Sequence, residues 1–328
     1  EMANLLISRV CNGECLYCFA VEYLHQASSD RMKRFIGLDE FSARLDWLER
    51  SSIRQARLLG GEPTLHPQLP ELLAQVASRG MYVLLFTHGW MPEAALQALE
   101  GWPADKCRVI VNMNARLPGG DSEATEARRW AVFQRLGERA QPGFSISRRS
   151  FQLEPLIPLI RETGCRKAIR LGIAQPTLAG KNEHLHPKHY RAAGAQIASF
   201  AGQAAAQGIV LEFDCGFVRC MFSESELNDL QAARADIGWR CNPVLDVDLD
   251  GSVFHCFPLA EQFTTHLADG VDAATLRSEL SSATSPYRQA GIFRECSICV
   301  QKQKGICTGG CLASTIRRFS STPFTIAL

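Results

Sequence analysis

The sequence predicts an α/β fold built on a parallel sheet, with a smaller cysteine-rich module at its C-terminal end. Three observations predict it. Short apolar runs alternate with amphipathic stretches of helical period from about residue 4 to 214. Strands separated by helices imply a parallel sheet with right-handed crossovers. Three cysteines, Cys11, Cys15 and Cys18, follow directly on the first apolar run, and eight of the thirteen cysteines fall beyond residue 214. The expected division is therefore 1–214 and 215–328.

The elements follow in order. Leu5-Leu6-Ile7 is the first strand. An amphipathic helix covers 38–50, with Phe41, Leu45 and Leu48 on one face and Asp39 and Glu40 in its first turn, where carboxylates suit the helix dipole. Ala56–Leu59 is the second strand. The helix over 70–79 turns Leu72, Leu73 and Val76 inward and stops at Gly80. Strands are expected at 81–86, 107–113, 144–148 and 168–173, and helices at 93–100, 123–139 and 154–162. A helix over 190–206 leads to a seventh apolar run, 209–213.

Cys11, Cys15 and Cys18 are spaced C-x3-C-x2-C. Three thiolates hold three corners of a cubane iron–sulfur cluster and leave the fourth iron open to a small molecule. Electron-transfer clusters carry four cysteine ligands, so three point to chemistry at the open iron. The competing reading is zinc, which wants a fourth Cys or His at close spacing. The run resembles the signature of the radical S-adenosylmethionine (SAM) superfamily. The resemblance extends to Tyr17, where that family has an aromatic residue near the adenine, and to Gly60-Gly61-Glu62-Pro63 after the second strand. In the family this turn binds the SAM amino group. Glycines let backbone approach closely, and a carboxylate accepts from an ammonium with charge assistance.

The resemblance implies a partial (β/α)6 barrel with its site at the carboxyl ends of the strands. It also implies a [4Fe-4S] cluster that binds SAM and yields a 5′-deoxyadenosyl radical. Strand-end candidates follow from it. Thr87-His88-Gly89 stands where relatives carry Thr/Ser-Asn-Gly. Asn112 and Asn114 end the fourth strand. Ser145, Ser147, Arg148 and Arg149 mark the fifth. Of these, Thr87, Asn112 and Ser145 are expected at SAM, with surface polar residues as the competing reading. The polar segment 176–187 is read as either a substrate-facing loop or a plain connection.

Beyond residue 214, Cys241 and Cys256 are spaced C-x9-G-x4-C around Gly251, and Cys296, Cys299, Cys307 and Cys311 as C-x2-C-x7-C-x3-C. This resembles the SPASM extension, which holds auxiliary iron–sulfur clusters on radical SAM enzymes. Two departures stand out: the gap from Cys299 to Cys307 is two residues longer than usual, and no cysteine follows Cys311. Cys215 and Cys220 bring the thiols to eight, enough for two four-cysteine clusters. The resemblance implies one or two auxiliary [4Fe-4S] clusters. It favours Cys220 beside Cys241, Cys256 and Cys311, and Cys215 beside Cys296, Cys299 and Cys307, with the reverse assignment of those two open. A zinc ribbon from the last four cysteines is the alternative. Cys107 and Cys165 read as ordinary buried thiols.

Composition bounds the rest. Net charge is +1 and apolar content 46%. The charge offers no case for nucleic acid or an anionic membrane as partner, and no apolar run is long enough to span a bilayer. Thirteen cysteines in a long, core-rich chain fit metal-bound thiolates in a reducing cytoplasm rather than a disulfide scaffold. The resemblance implies an oxidoreductase that oxidises or cross-links a ribosomally made peptide, or dehydrogenates or epimerises a small metabolite. It further implies an electron donor such as flavodoxin or ferredoxin.

Overall fold

The computed structural model describes residues 2–21, 33–116, 123–242 and 244–320. Its strands form one sheet in the order β10-β9-β8-β1-β2-β3-β4-β5-β6-β7. Seven run parallel in succession: β1 (Ala3–Ser8), β2 (Gln55–Gly60), β3 (Tyr82–Thr87), β4 (Cys107–Asn112), β5 (Ala140–Ile146), β6 (Ala168–Ile173) and β7 (Val210–Phe213). Helices α1 (Leu38–Arg50), α2 (Leu69–Ser78), α3 (Glu93–Glu100), α4 (Glu123–Leu136), α5 (Leu156–Thr163) and α6 (Tyr190–Ala206) make the crossovers. The α/β class and the alternation read from the sequence are those observed.

The helices cover the outer face of the sheet. Phe41, Leu45 and Leu48 of α1 and Leu72, Leu73 and Val76 of α2 are buried there. Each such side chain contributes roughly 1.5–3 kcal/mol by leaving water. The inner face is polar, and the sheet curls around it. Arg57 of β2 and Arg170 of β6 both stack on Phe86 of β3, at 5.5 and 5.1 Å from the ring centre. Arg108 of β4 reaches Glu212 of β7 at 3.2 Å. Strands three apart in a flat sheet lie about 14 Å from one another, so these contacts require the curvature of a partial barrel.

Strand β5 begins four residues before the expected start. Gln141-Pro142-Gly143 reads as a turn, yet it is strand. Pairing of β5 with β6 starts only at Gly143, so Pro142 lies where its missing N–H costs no bond on that side. Consequently Ser147, Arg148 and Arg149 fall beyond the strand. Helix α4 stops at Leu136, because Gly137 takes a left-handed conformation (φ 53°) and a single 3₁₀ turn follows.

The region after 214 joins the same sheet. Strand β8 (Leu245–Val247) adds parallel to β1, and β9 (Ser252–Phe254) and β10 (Thr264–His266) continue antiparallel. The amide of Asn4 donates to Asp246 at 2.5 Å, and buried Arg9 pairs with buried Asp248. Further on come α7 (Glu224–Ala232), α8 (Ala273–Arg288), the short α9 (Val300–Gln303) and α10 (Leu312–Ser320). The turn α9 lies between Cys299 and Cys307. Among the described residues, no helix is long and apolar enough to cross a membrane.

Candidate metal centres

The loop carrying Cys11, Cys15 and Cys18 leaves the carboxyl end of β1 and lies against two neighbours. The first is the turn after β2. Gly61 N–H donates to Ser8 O at 2.8 Å and Glu62 N–H to Val10 O at 2.7 Å. A Cβ on Gly60 would stand 2.0 Å from Ser8 O, and one on Gly61 2.4 Å from Val10 O. The paired glycines therefore serve a close approach between two pieces of this chain, whereas the sequence suggested an approach to ligand.

The second neighbour is the segment after β4. Glu14 N–H donates to Arg116 O at 2.7 Å, and Arg116 N–H points at the Cys15 sulfur at 3.3 Å. Arg129 of α4 braces this segment from behind. Its guanidinium donates to Met113 O at 2.8 Å and Ala115 O at 3.1 Å, and stacks 4.2 Å over the Trp90 ring. Nothing in the local sequence marks Arg129, whose partners lie a turn of chain away from any motif.

Glu62 is 1% exposed. Its carboxylate accepts from Thr64 N–H (3.0 Å), the Thr64 hydroxyl, the Thr87 hydroxyl (2.8 Å) and His88 N–H (2.9 Å). Protein donors thus occupy the group that the sequence offered to a ligand ammonium, and Glu62 braces the turn that Pro63 opens. His88 extends the brace. Trp90 N–H donates to its Nδ1 at 3.1 Å, which assigns the proton to Nε2, and Nε2–H donates to Asn12 Oδ1 at 2.7 Å. Burial lowers the His88 pKa, so the ring stays neutral.

The remaining candidates separate. Asn112 donates to the Tyr17 hydroxyl at 2.9 Å, while its own Oδ1 is buried without a partner. Asn114 is turned to structure: it donates to Ser145 O at 2.7 Å and accepts from Ser145 N–H at 3.0 Å. Arg148 pairs with Glu183 at the surface. The segment after β6 is more than a connection. Buried Asn182 donates to Tyr17 O and Gln175 O and accepts from Thr177 N–H, and Glu183 N–H donates to Leu16 O at 2.8 Å.

The eight C-terminal thiols sort into two sets. Cys215, Cys241, Cys256 and Cys311 lie within electrostatic reach of one another. Cys220 lies instead within reach of Cys296, Cys299 and Cys307. The expected partners of Cys215 and Cys220 are thereby exchanged. Two glycines make the second half of the arrangement possible. Gly309 (φ 84°) and Gly310 (φ 90°) reverse the chain between Cys307 and Cys311, so that the two sulfurs serve different sets. Cys215 and Cys220 both keep exposed surface.

Burial raises Cys11 in the first region and Cys220 in the second, each to about 11. Such thiols become thiolates when a metal cation holds their charge. Among the described residues, no three His, Cys, Asp or Glu side chains close on one point as ligands of a single ion do. A cubane asks for a different arrangement, since each thiolate meets its own iron.

Residues 5–115 match the family model of the Radical SAM superfamily. The Fe-coproporphyrin III synthase of Methanosarcina barkeri is 31% identical over 83 residues, 25% of this chain and 20% of that protein. The probable GTP 3′,8-cyclase of Pyrobaculum aerophilum is 20% identical over 112 residues, 34% of each chain. The match therefore spans about a fifth to a third of these curated relatives. Among solved structures, Streptococcus suis SuiB bound to precursor peptide SuiA superposes with a TM-score of 0.68 at 12% identity, covering 96% of this chain and 73% of that one. A histidine-tagged anSMEcpe with bound AdoMet gives 0.67 at 18% identity, covering 94% and 88%. At these identities the likeness is one of fold.

Proposed function

Starting from a chain whose residues 5–115 are a radical SAM domain, we propose that the whole chain is a SAM-dependent radical enzyme that oxidises or cross-links a peptide. Bound together, the cluster and SAM supply a 5′-deoxyadenosyl radical that removes a hydrogen atom from the substrate. Cys11, Cys15 and Cys18 hold three irons and leave the fourth to the amino acid end of SAM. The Gly60–Pro63 turn and Thr87 shape the floor beneath that end. Tyr17, Asn112 and Ser145 face the nucleoside.

One observation carries the assignment of this floor. The Asn112 amide donates to the Tyr17 hydroxyl at 2.9 Å, which joins the end of β4 to the loop of Cys15 and Cys18, as a shared nucleoside site asks.

The C-terminal thiols hold two auxiliary clusters, one on Cys215, Cys241, Cys256 and Cys311 and one on Cys220, Cys296, Cys299 and Cys307. Clusters held by these cysteines would supply an electron acceptor, which fits a net oxidation. An external flavodoxin or ferredoxin supplies the reducing electron. The peptide reading draws on the fold shared with SuiB, which binds precursor peptide SuiA.

The test is anaerobic reconstitution followed by reduction and incubation with SAM. About twelve irons per chain are expected, four for each of three clusters, with 5′-deoxyadenosine well above a Cys15→Ala control. No nucleoside above that control overturns the enzyme reading. Labelled hydrogen from SAM-dependent turnover that appears only with a small metabolite, and never with a peptide, overturns the peptide.

A further inference from the structure

We propose that the Tyr190 hydroxyl donates a hydrogen bond to the sulfur set of Cys215, Cys241, Cys256 and Cys311, and so raises the reduction potential of the cluster held there. The inference rests on the auxiliary-cluster reading above.

Tyr190 opens α6 and is 1% exposed. Its ring packs edge-on against Phe293, with centroids 6.3 Å apart. A buried tyrosine hydroxyl ordinarily finds a partner, yet this one makes no well-formed hydrogen bond and leans toward the Gln175 amide. Gln175 has little to accept with. Its Oε1 already takes the Ser314 hydroxyl proton at 2.8 Å, and its Nε2 donates to Ile173 O at 3.3 Å. The second hydrogen on Nε2 is what Gln175 has left, and it suits the Tyr190 oxygen as acceptor. The proton of Tyr190 therefore needs an acceptor elsewhere.

The groups within electrostatic reach of the hydroxyl are Cys311 and Cys215. A tyrosine hydroxyl keeps its proton near neutral pH, so the proton is there to be donated. The same side of the set receives other donors. Cys311 stands just before α10, and the Ala313 and Ser314 amides turn toward its sulfur. A Cβ on Gly216 would strike the Gln175 amide at 2.3 Å, so Gln175 is seated directly against the Cys215 turn. Tyr190, Gln175 and Ser314 thus form one buried polar unit between α6, β6 and α10, and it abuts two of the four sulfurs.

Donors to cluster sulfur favour the reduced form, which carries more negative charge, and hydrogen bonds of this kind are one of the protein's levers on potential. Removing the hydroxyl while keeping the ring isolates the effect. In reconstituted holoenzyme, Tyr190→Phe is expected to keep the full iron content and to shift the auxiliary equilibrium about tenfold toward the oxidised form. That is about 59 mV downward for a one-electron couple. The readout is a dithionite titration followed by electron paramagnetic resonance, with the signal identified by its survival in Cys220→Ala. The cluster on Cys11, Cys15 and Cys18 should keep its potential.

Ser314→Ala gives an independent reading. The Ser314 hydroxyl also reaches the Cys311 sulfur. This variant therefore lowers the potential both by losing that donor and by freeing Gln175 Oε1 to compete for the tyrosine proton, and it shifts the potential less in the Tyr190→Phe background than alone. An unmoved potential in Tyr190→Phe with full iron content overturns the proposal. If that variant loses iron, an unmoved potential in Ser314→Ala decides against it. An unaltered chain that forms no auxiliary signal overturns the cluster reading itself, and this inference with it.

Discussion

The N-terminal and C-terminal sulfur sites are built by different means. Cys11, Cys15 and Cys18 share one loop, and the fold presses other backbone against it: the Gly60-Gly61 turn on one side and residues 113–116 on the other. Each C-terminal set instead draws its sulfurs from separate segments, as far apart as positions 215 and 311. A loop that supplies all its own ligands needs bracing but no long-range pairing. A set gathered from distant segments exists only once the chain has folded. The two regions also touch: Phe19, after Cys18, packs on Phe257, after Cys256, with ring centres 5.6 Å apart.

Substitutions at the sulfurs break this comparison most sharply. Cys15→Ala should abolish 5′-deoxyadenosine formation, measured by chromatography of reduced enzyme with SAM. Cys220→Ala should leave SAM cleavage in place and remove about a third of the iron, four of about twelve atoms. Cys215→Ala should remove a different third, with a different resonance spectrum lost. Identical spectra for the last two variants would sink the sorting of the sulfurs into two sets.

Bracing is the next effect in size. Arg129→Leu strands the Met113 and Ala115 carbonyls and removes the stack on Trp90. A loss of about 2–4 kcal/mol is expected by denaturant titration, together with weaker retention of iron at the N-terminal loop. Unchanged stability would mean that the segment behind Cys15 holds itself.

The smallest effect concerns how the C-terminal region is fastened to β1. Burial raises Asp246 from its ordinary carboxylate value to about 7. Below about pH 3.8 both folded and unfolded chains hold this proton. Between there and about pH 7 the folded chain keeps a proton that the unfolded chain has released, so this group's contribution to stability falls as pH rises and stays low above pH 7. Asp246→Asn should therefore raise the melting temperature by several degrees at pH 8 and change little near pH 4. A variant that is less stable at pH 8 would show that Asn4 and Arg57 favour the ionised carboxylate more than burial opposes it.

Much of the fold is legible in the chain. The faces of α1 and α2 were marked by the spacing of Phe41, Leu45, Leu48, Leu72, Leu73 and Val76, because helical period and burial are local consequences of one another. The start of β5 was not, because Pro142 and Gly143 carry turn chemistry that only the absence of a β6 partner at Pro142 makes harmless. Glu62 was legible as important, but its donors were not: they come from Thr64, Thr87 and His88, and two of those residues lie a strand away.

By itself the sequence determined which residue types stand at short, fixed separations: the C-x3-C-x2-C loop, the Gly-Gly-Glu-Pro turn, the paired cysteines, and the alternation of strand and helix. These are properties of a few consecutive residues, and chain geometry translates them directly. Only the tertiary structure decided that Cys215 joins Cys311 while Cys220 joins Cys296, that Arg129 props the loop of Cys15, and that β8 fastens to β1. Four residues separate Cys215 from Cys220, and at that distance spacing alone permits either pairing. The choice belongs to the curvature of the sheet and the packing of α6 and α10, which set where each sulfur ends up.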